Sequence, residues 1–247
     1  MRKLKQEWLD FPLSLTFRCP RAVVSRQQDH VPGYEAHASN LDGEVHSWHS
    51  KEEFPDGKPW GIKEIEDLGP GTIGILCRNN APLFAAALRI LKTGRGVTLM
   101  GSELAKGLII LVRKLFPDLS TPIGEIVPTL RDRQRGETSK ALANDKPERV
   151  AIINDRAECL IAIAENADIK VAGGLISTLN TMFEKGSIRI TLATGHKAKG
   201  LEWDTVIHLD PWRVPSKFAK RAAAEGNQGP LSQELNLRYV IETRSKN

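Results

Sequence analysis

The apolar positions of this chain change period several times, and each change predicts an element. Leu13 to Thr16 is a short apolar run with β-branched character. Pro20 follows where the first turn of a helix tolerates proline, so a helix is expected from Pro20 to Gln28. Glu44 to Trp48 alternates as a half-exposed strand does, and Lys51 to Gly71, rich in Gly, Pro and charge, reads as a loop. Thr72 to Cys77 reads as a buried strand. Leu83, Ala87, Leu88 and Leu91 then fall on one face of a helix from Pro82 to Leu91. Val97 to Met100 is a further strand, with Ser102 as N-cap of a helix reaching about Leu115.

From Pro117 to Lys146 the pattern dissolves. The run Arg131-Asp132-Arg133-Gln134-Arg135-Gly136 is too charged for a core, so a solvated excursion is expected there. Helical periodicity returns over Glu148 to Ala164 and Val171 to Phe183, and strands over Ile188 to Ala193 and Val206 to Leu209. A loop through Pro211 to Pro230 leads to a helix from Leu231 to Thr243. Strand and helix alternating at this spacing predict an α/β fold with a parallel sheet and covering helices.

Composition narrows the class without deciding it. With 247 residues, 40% of them hydrophobic, the chain can bury a real core. A net charge of +5 permits polyanion binding without requiring it. Charge alternates from basic (1–30) to acidic (35–70) to basic (71–116), as in a folded protein with a basic face and an acidic loop. Cys19, Cys77 and Cys159 lack any CxxC spacing, which reads as a reducing, cytoplasmic setting. No apolar run follows the basic N-terminus, and the longest aliphatic run, Leu108 to Val112, is far short of a bilayer span. The expectation is no membrane association.

Three segments carry candidate chemistry. Thr194-Gly195-His196-Lys197-Ala198-Lys199-Gly200-Leu201-Glu202 leaves a predicted strand end, where open α/β sheets bind ligands. Lys197 and Lys199 can meet phosphate, Gly200 lets backbone approach a ligand, and Glu202 can accept from a sugar hydroxyl; a solvated basic turn is the alternative. Arg18, between a strand and a helix N-terminus, is placed either for an anion or simply for water. Arg244, at the end of the last helix, either serves a ligand or complements the helix dipole. His46 and His49 lack further ligands at metal spacing, so no metal site is expected. Trp8, Trp48, Trp60, Trp203 and Trp212 can stack bases, but packing is the expected role of most.

Taken together and in this order, the three segments resemble the C-terminal half of a superfamily 1 DNA helicase of the UvrD/Rep type. Thr194 to Glu202 is similar to motif V (T-x-H-x-x-K-G-L-E), Arg18 in Phe17-Arg18-Cys19-Pro20 to the motif IV arginine, and Tyr239-Val240 with Thr243-Arg244 to the Y-V-x-x-T-R of motif VI. Gly74 to Ala81 resembles the strand-to-loop element that precedes the accessory insertion. The resemblance implies a second RecA-like domain, with core 1–116 and 188–247 and a reduced helical accessory subdomain at 117–187. It also implies ATP with Mg2+ bound mainly by a first RecA-like domain, 3′ to 5′ translocation, and a setting in DNA repair. Arg18 and Arg244 would then be catalytic, reaching the γ-phosphate. Gly200 and Glu202 would bind the nucleotide, and Thr194, His196, Lys197 and Lys199 would contact single-stranded DNA or the 3′ single-strand tail of a duplex.

Departures qualify that picture. Gly57-Lys58 is followed by Pro59, so no G-x-x-x-x-G-K-[ST] phosphate loop exists in this sequence. Met1 to Trp8 reads as an internal helix of the family. An N-terminal helicase half, in cis or in trans, is therefore expected as partner, and ATP hydrolysis by this chain alone is not. Glu242 stands where the family has a small or apolar residue, and it is expected to point to water. The rival readings are a non-catalytic DNA-binding or interaction module and a degenerate helicase fragment.

Overall fold

A strand buried on both faces reads as a continuous apolar run, and Ile73–Cys77 is that strand: every residue in it is buried. The structure, a computed structural model, describes residues 14–46, 70–183 and 189–246. In chain order its elements are β1 (Leu15–Thr16), α1 (Arg21–Gln27), β2 (Glu35–Ala36), β3 (Ile73–Cys77), α2 (Asn80–Lys92), β4 (Thr98–Leu99), α3 (Ser102–Leu115) and α4 (Ile123–Ala143). There follow α5 (Pro147–Asn166), α6 (Ala172–Phe183), β5 (Ile190–Thr194), β6 (Thr205–His208), a 3-10 turn at Pro211–Arg213, α7 (Lys217–Ala224) and α8 (Gly229–Glu242). The main sheet has the order β4-β5-β3-β6 and is parallel throughout, while β1 and β2 form a separate parallel pair. Parallel neighbours require crossovers, which the helices supply. This is the RecA-like α/β arrangement that the sequence implies.

The first turn of α2 is closed from a distance. The Asp155 carboxylate on α5 accepts from the backbone N–H of Asn80 (2.9 Å) and Ala81 (3.2 Å) and from the Asn80 side-chain amide (2.7 Å). These are donors that a helix leaves unpaired at its start. α2 lies between the sheet and α5, and it buries Leu83, Phe84, Ala86, Ala87, Leu88 and Ile90. The helices of 117–187 share this core: Ile126, Leu130, Leu160, Leu175 and Leu179 pack in one cluster with Ile73, Ile75 and Leu192.

Several expectations are corrected. The excursion expected from Pro117 to Lys146 is mostly the 21-residue helix α4. Its apolar stripe, Ile123, Ile126, Val127 and Leu130, does have helical spacing, but Pro128 and the surrounding charges mask it. The loop expected through Pro211 to Pro230 contains α7, which buries only Ala219 and Ala222 and so carries almost no hydrophobic signal. The Oγ of Ser216 caps α7 by accepting from Ala219 N–H at 3.3 Å. Gly101 rather than Ser102 is the N-cap of α3. Residues 44–46 form no strand, and the rest of that expected strand lies outside the described residues, as do Met1 to Trp8, His49, Gly57-Lys58, Trp60 and nearly all of the loop expected from Lys51 to Gly71. Among the described residues no helix is long and apolar enough to cross a membrane.

Replacing Asp155 with Ala strands two backbone amides and a side-chain amide at one helix start. Urea unfolding should show a loss of about 1–3 kcal/mol.

Candidate functional site

The segment after β5 is tied to β3 at both of its ends. Gly195 N–H continues the ladder by donating to Cys77 O (3.0 Å), and Thr205 N–H donates to Thr72 O (3.0 Å) where the chain rejoins the sheet as β6 on the other side of β3. Between these points the Thr194 carbonyl accepts from Lys197 N–H (2.9 Å) and Ala198 N–H (3.0 Å), winding the loop into a tight turn. Ala198 is buried, while His196, Lys197, Lys199 and Gly200 face outward and Thr194 is buried at the strand end. Gly195 lies against α8 so closely that a Cβ would stand 2.6 Å from Ile241 and 2.9 Å from Leu237. Gly200 has a φ of +83°, and a Cβ there would meet nothing within 4 Å. Backbone conformation, not crowding, is what calls for glycine at that position.

The far end of the loop is zipped to the chain terminus of α8. Trp203 and Ser245 form a parallel bridge, with Trp203 N–H donating to Arg244 O (3.1 Å) and Lys246 N–H to Trp203 O (3.0 Å). The Trp203 ring is buried against Gly74, where a Cβ would overlap it, so this tryptophan is packing and not a base platform. The bridge sets Glu202 beside Arg244. A third segment joins them: the Cys19 thiol donates to Thr243 O (3.5 Å), and the Arg18 guanidinium meets Glu202 at 3.3 Å.

Arg18, Glu202 and Arg244 therefore converge. Arg244 is only 8% exposed, and its Nε donates to Val240 O at 2.9 Å. Burial and then the neighbouring Arg18 charge lower its pKa, opposed by Glu202. Arginine stays protonated regardless, so Arg244 carries its charge in a largely desolvated position beside the Arg18 charge. The Arg18 Nε is buried with no hydrogen-bond partner among the described residues. The cluster has donors to spare for an anion. Beside it, the exposed Phe17 ring stacks on His37 at a centroid distance of 4.3 Å.

A second cluster stands at the other end of α8. Arg78, immediately after β3, grips Glu234 through Nε (2.9 and 3.1 Å) and Nη2 (2.7 Å), and Ser216 N–H donates to the same carboxylate. The His196 pKa is lowered by partial burial and then by Arg78, which favours neutral imidazole. The structure thus brings Arg18, Glu202, Gly200 and Arg244 to one end of the loop and Thr194 and His196 to the other, with the Lys197 ammonium against Gly101. Arg78 and Glu234 received no site role from the sequence; the signal was present in the strand-to-loop element, where an arginine closes an otherwise apolar strand.

Glu242 corrects an expectation. It does not point to water: its side chain is only 13% exposed, accepting from Gln27 Nε2 (2.6 Å) and Arg238 Nε (2.9 Å), lying 3.2 Å from His208 Nδ1, and reached by Arg26 at 3.9 Å. Burial works to raise its pKa, but the hydrogen bonds from His208, Arg238 and Gln27 prevail and hold it at about 2. This carboxylate ties α1, which follows Arg18, to α8, which precedes Arg244.

Among the described residues no group of three or more His, Cys, Asp or Glu side chains gathers. Burial pushes the Cys77 thiol up to about 12 and also raises Cys159, leaving both protonated.

The depressed Glu242 pKa has a definite pH signature. Its stabilising contribution is complete above the ordinary value of 4.5 and is lost as pH falls toward about 2. Glu242→Gln should lower stability at neutral pH by about 1–3 kcal/mol. Urea titrations across pH should show the difference from wild type closing over that acid window.

No curated protein matches the chain. The model of one family does, over residues 136–247, a span that contains the 194–202 loop, Arg244 and Glu234 and leaves Arg18 and Arg78 outside. The strand-end loop with its T-G-H-K-A-K-G-L-E sequence, pinned along a helix that ends in Tyr-Val-Ile-Glu-Thr-Arg, agrees with that match: residues 136–247 are similar to the UvrD-like helicase C-terminal domain.

Proposed function

We propose that this chain is the second RecA-like domain of an ATP-dependent 3′ to 5′ DNA helicase. The observation that carries the reading is the convergence of Arg18 and Arg244, far apart in sequence, around Glu202. Two guanidinium groups close to one carboxylate, which pairs with Arg18 alone, form a preorganised site for the charge that develops on a transferring γ-phosphoryl group. Glu202, 41% exposed, retains acceptor capacity for a ribose hydroxyl beside Gly200. Phe17, flat and exposed next to Arg18, offers a face to the base. ATP with Mg2+ would be held mainly by the phosphate loop of another RecA-like domain, in the same chain or a separate one, since this sequence has none.

The outward-facing His196, Lys197 and Lys199, with Thr194 at their base, are the proposed contacts to single-stranded DNA or to the 3′ tail of a duplex. Because the same turn runs from these residues to Glu202 along α8, closure of a nucleotide cleft would move the strand contacts with it. Residues 117–187 fit a reduced accessory subdomain that has collapsed onto the core of this domain.

The test is a reconstitution with the phosphate-loop half. Arg244→Ala and Arg18→Ala should each reduce DNA-stimulated ATP turnover by about 10³-fold or more while the far-UV spectrum and single-strand affinity are retained. Unwinding should require a 3′ tail. Unchanged turnover removes the arginine assignment, and salt-sensitive strand binding with no turnover in any reconstitution makes the chain a DNA-binding module instead.

A further inference from the structure

The charged run that sequence alone assigns to solvent lines a groove with a mixed wall. A cavity of about 550 Å3 lies between the C-terminal half of α3, α4 and the first half of α5. Gly107, Ile110, Leu111 and Lys114 are spaced as one face of α3, and Arg149, Ile153 and Arg156 as one face of α5. Lys114, Arg133, Lys140, Lys146, Arg149 and Arg156 supply the charge, against the single acidic residue Glu137. Lys140 has an ion-pair partner, Glu137 at 3.8 Å; the other five have none among the described residues. Between the cations the wall is aliphatic, and Ile110 in it is 67% exposed. Two unfavourable terms therefore coincide: like charges repel one another, and aliphatic surface lies open to water.

We propose that this groove seats an acidic amphipathic helix of a protein partner. Its occupant has to relieve both terms at once. Carboxylates on the flanks of such a helix pair with the five unpartnered cations, and aliphatic side chains at every third or fourth position cover Ile110, Leu111 and Ile153. The length agrees, because the α4 stripe from Leu130 to Ala141 rises about 16 Å, roughly three turns of a facing helix. A nucleic acid is the poorer match. Its backbone brings charge but nothing aliphatic to cover Ile110, and no aromatic side chain lines the groove to stack an exposed base. The unpaired cations also steer an acidic partner from a distance, so association is fast and weakens with salt. The groove shares no residue with the Arg18–Glu202–Arg244 cluster or with the 194–202 loop, and the proposal stands independently of the helicase reading.

The experiment measures fluorescence anisotropy with the full chain and a labelled synthetic peptide of about four helical turns, with leucine at every third or fourth position and glutamate on both flanks. A scrambled peptide of the same composition, polyglutamate and a labelled blunt DNA duplex run beside it. The wild type should bind the patterned peptide about fivefold or more tighter than the scrambled one, with affinity falling as salt rises. Ile110, Arg149 and Arg156 are exposed, so I110S, R149E/R156E and the milder R149Q/R156Q should keep the wild-type far-UV spectrum and urea midpoint. R149E/R156E should raise the peptide dissociation constant about tenfold or more, R149Q/R156Q by a smaller factor, and I110S about fivefold. Variants that bind like wild type overturn the proposal, as does scrambled peptide or polyglutamate binding as tightly as the patterned peptide. So does duplex binding that R149E/R156E abolishes while the patterned peptide is ignored, which makes the groove a nucleic-acid surface. Wild-type dimerisation in light scattering that R149E/R156E removes also overturns it and makes a second copy of this chain the occupant. None of these outcomes touches Arg18 or Arg244, so the helicase reading stands or falls by its own reconstitution.

Discussion

The site depends on a shortage of negative charge where three distant segments of the chain meet. Arg18, Glu202 and Arg244 are brought together by contacts that involve none of their charges: the Trp203–Ser245 backbone bridge and the Cys19 thiol on the Thr243 carbonyl. Had the guanidinium groups been free to choose, like-charge repulsion would have moved them apart or drawn in a second carboxylate. The fold holds them in an arrangement that one glutamate leaves incompletely neutralised. Stability elsewhere in the domain sustains that unfavourable local balance, as is common where a protein must receive a charged ligand.

α8 connects the parts of the site. Near its N-terminal end Glu234 is clamped by Arg78 just beyond β3, and at its C-terminal end Glu242 gathers side chains from α1 and β6. Between them Leu237 and Ile241 press on Gly195. A helix fixed at both ends and packed along the loop moves with that loop as one body, because close-packed interfaces shift between discrete arrangements and do not stretch. Glu242 is the instructive member. A carboxylate two residues from Arg244 would oppose an anion bound beside that arginine, yet its three donors hold it on the α1 side.

Much of this was legible from sequence where burial writes a periodic pattern. β3, α2, α5 and α6 have continuous or one-faced apolar runs, and all stand close to where the pattern puts them. α4 and α7 were not legible, because a narrow stripe interrupted by Pro128 in one case and a face of alanines in the other bury too little to stand out. The convergence of Arg18 with Arg244 leaves no trace in spacing at all; motif order suggested it, and only the tertiary bridge at Trp203 explains it physically. The Glu242 network was illegible for a related reason: its donors, Gln27, His208 and Arg238, come from three elements and acquire meaning only once packed.

The chain's excess of basic residues divides into two kinds with different physics. Arg78, Arg238 and Arg244 are held by fixed acceptors within the protein, so their orientation is set during folding and little rotamer freedom remains to be lost on meeting a ligand. Lys114, Lys146, Arg149 and Arg156 are exposed and lack such acceptors among the described residues. Charges of the second kind attract a polyanion at long range and let it slide, with strong dependence on salt. Those of the first kind act at short range on one geometry and feel salt much less. The two sets occupy separate surfaces of one small fold.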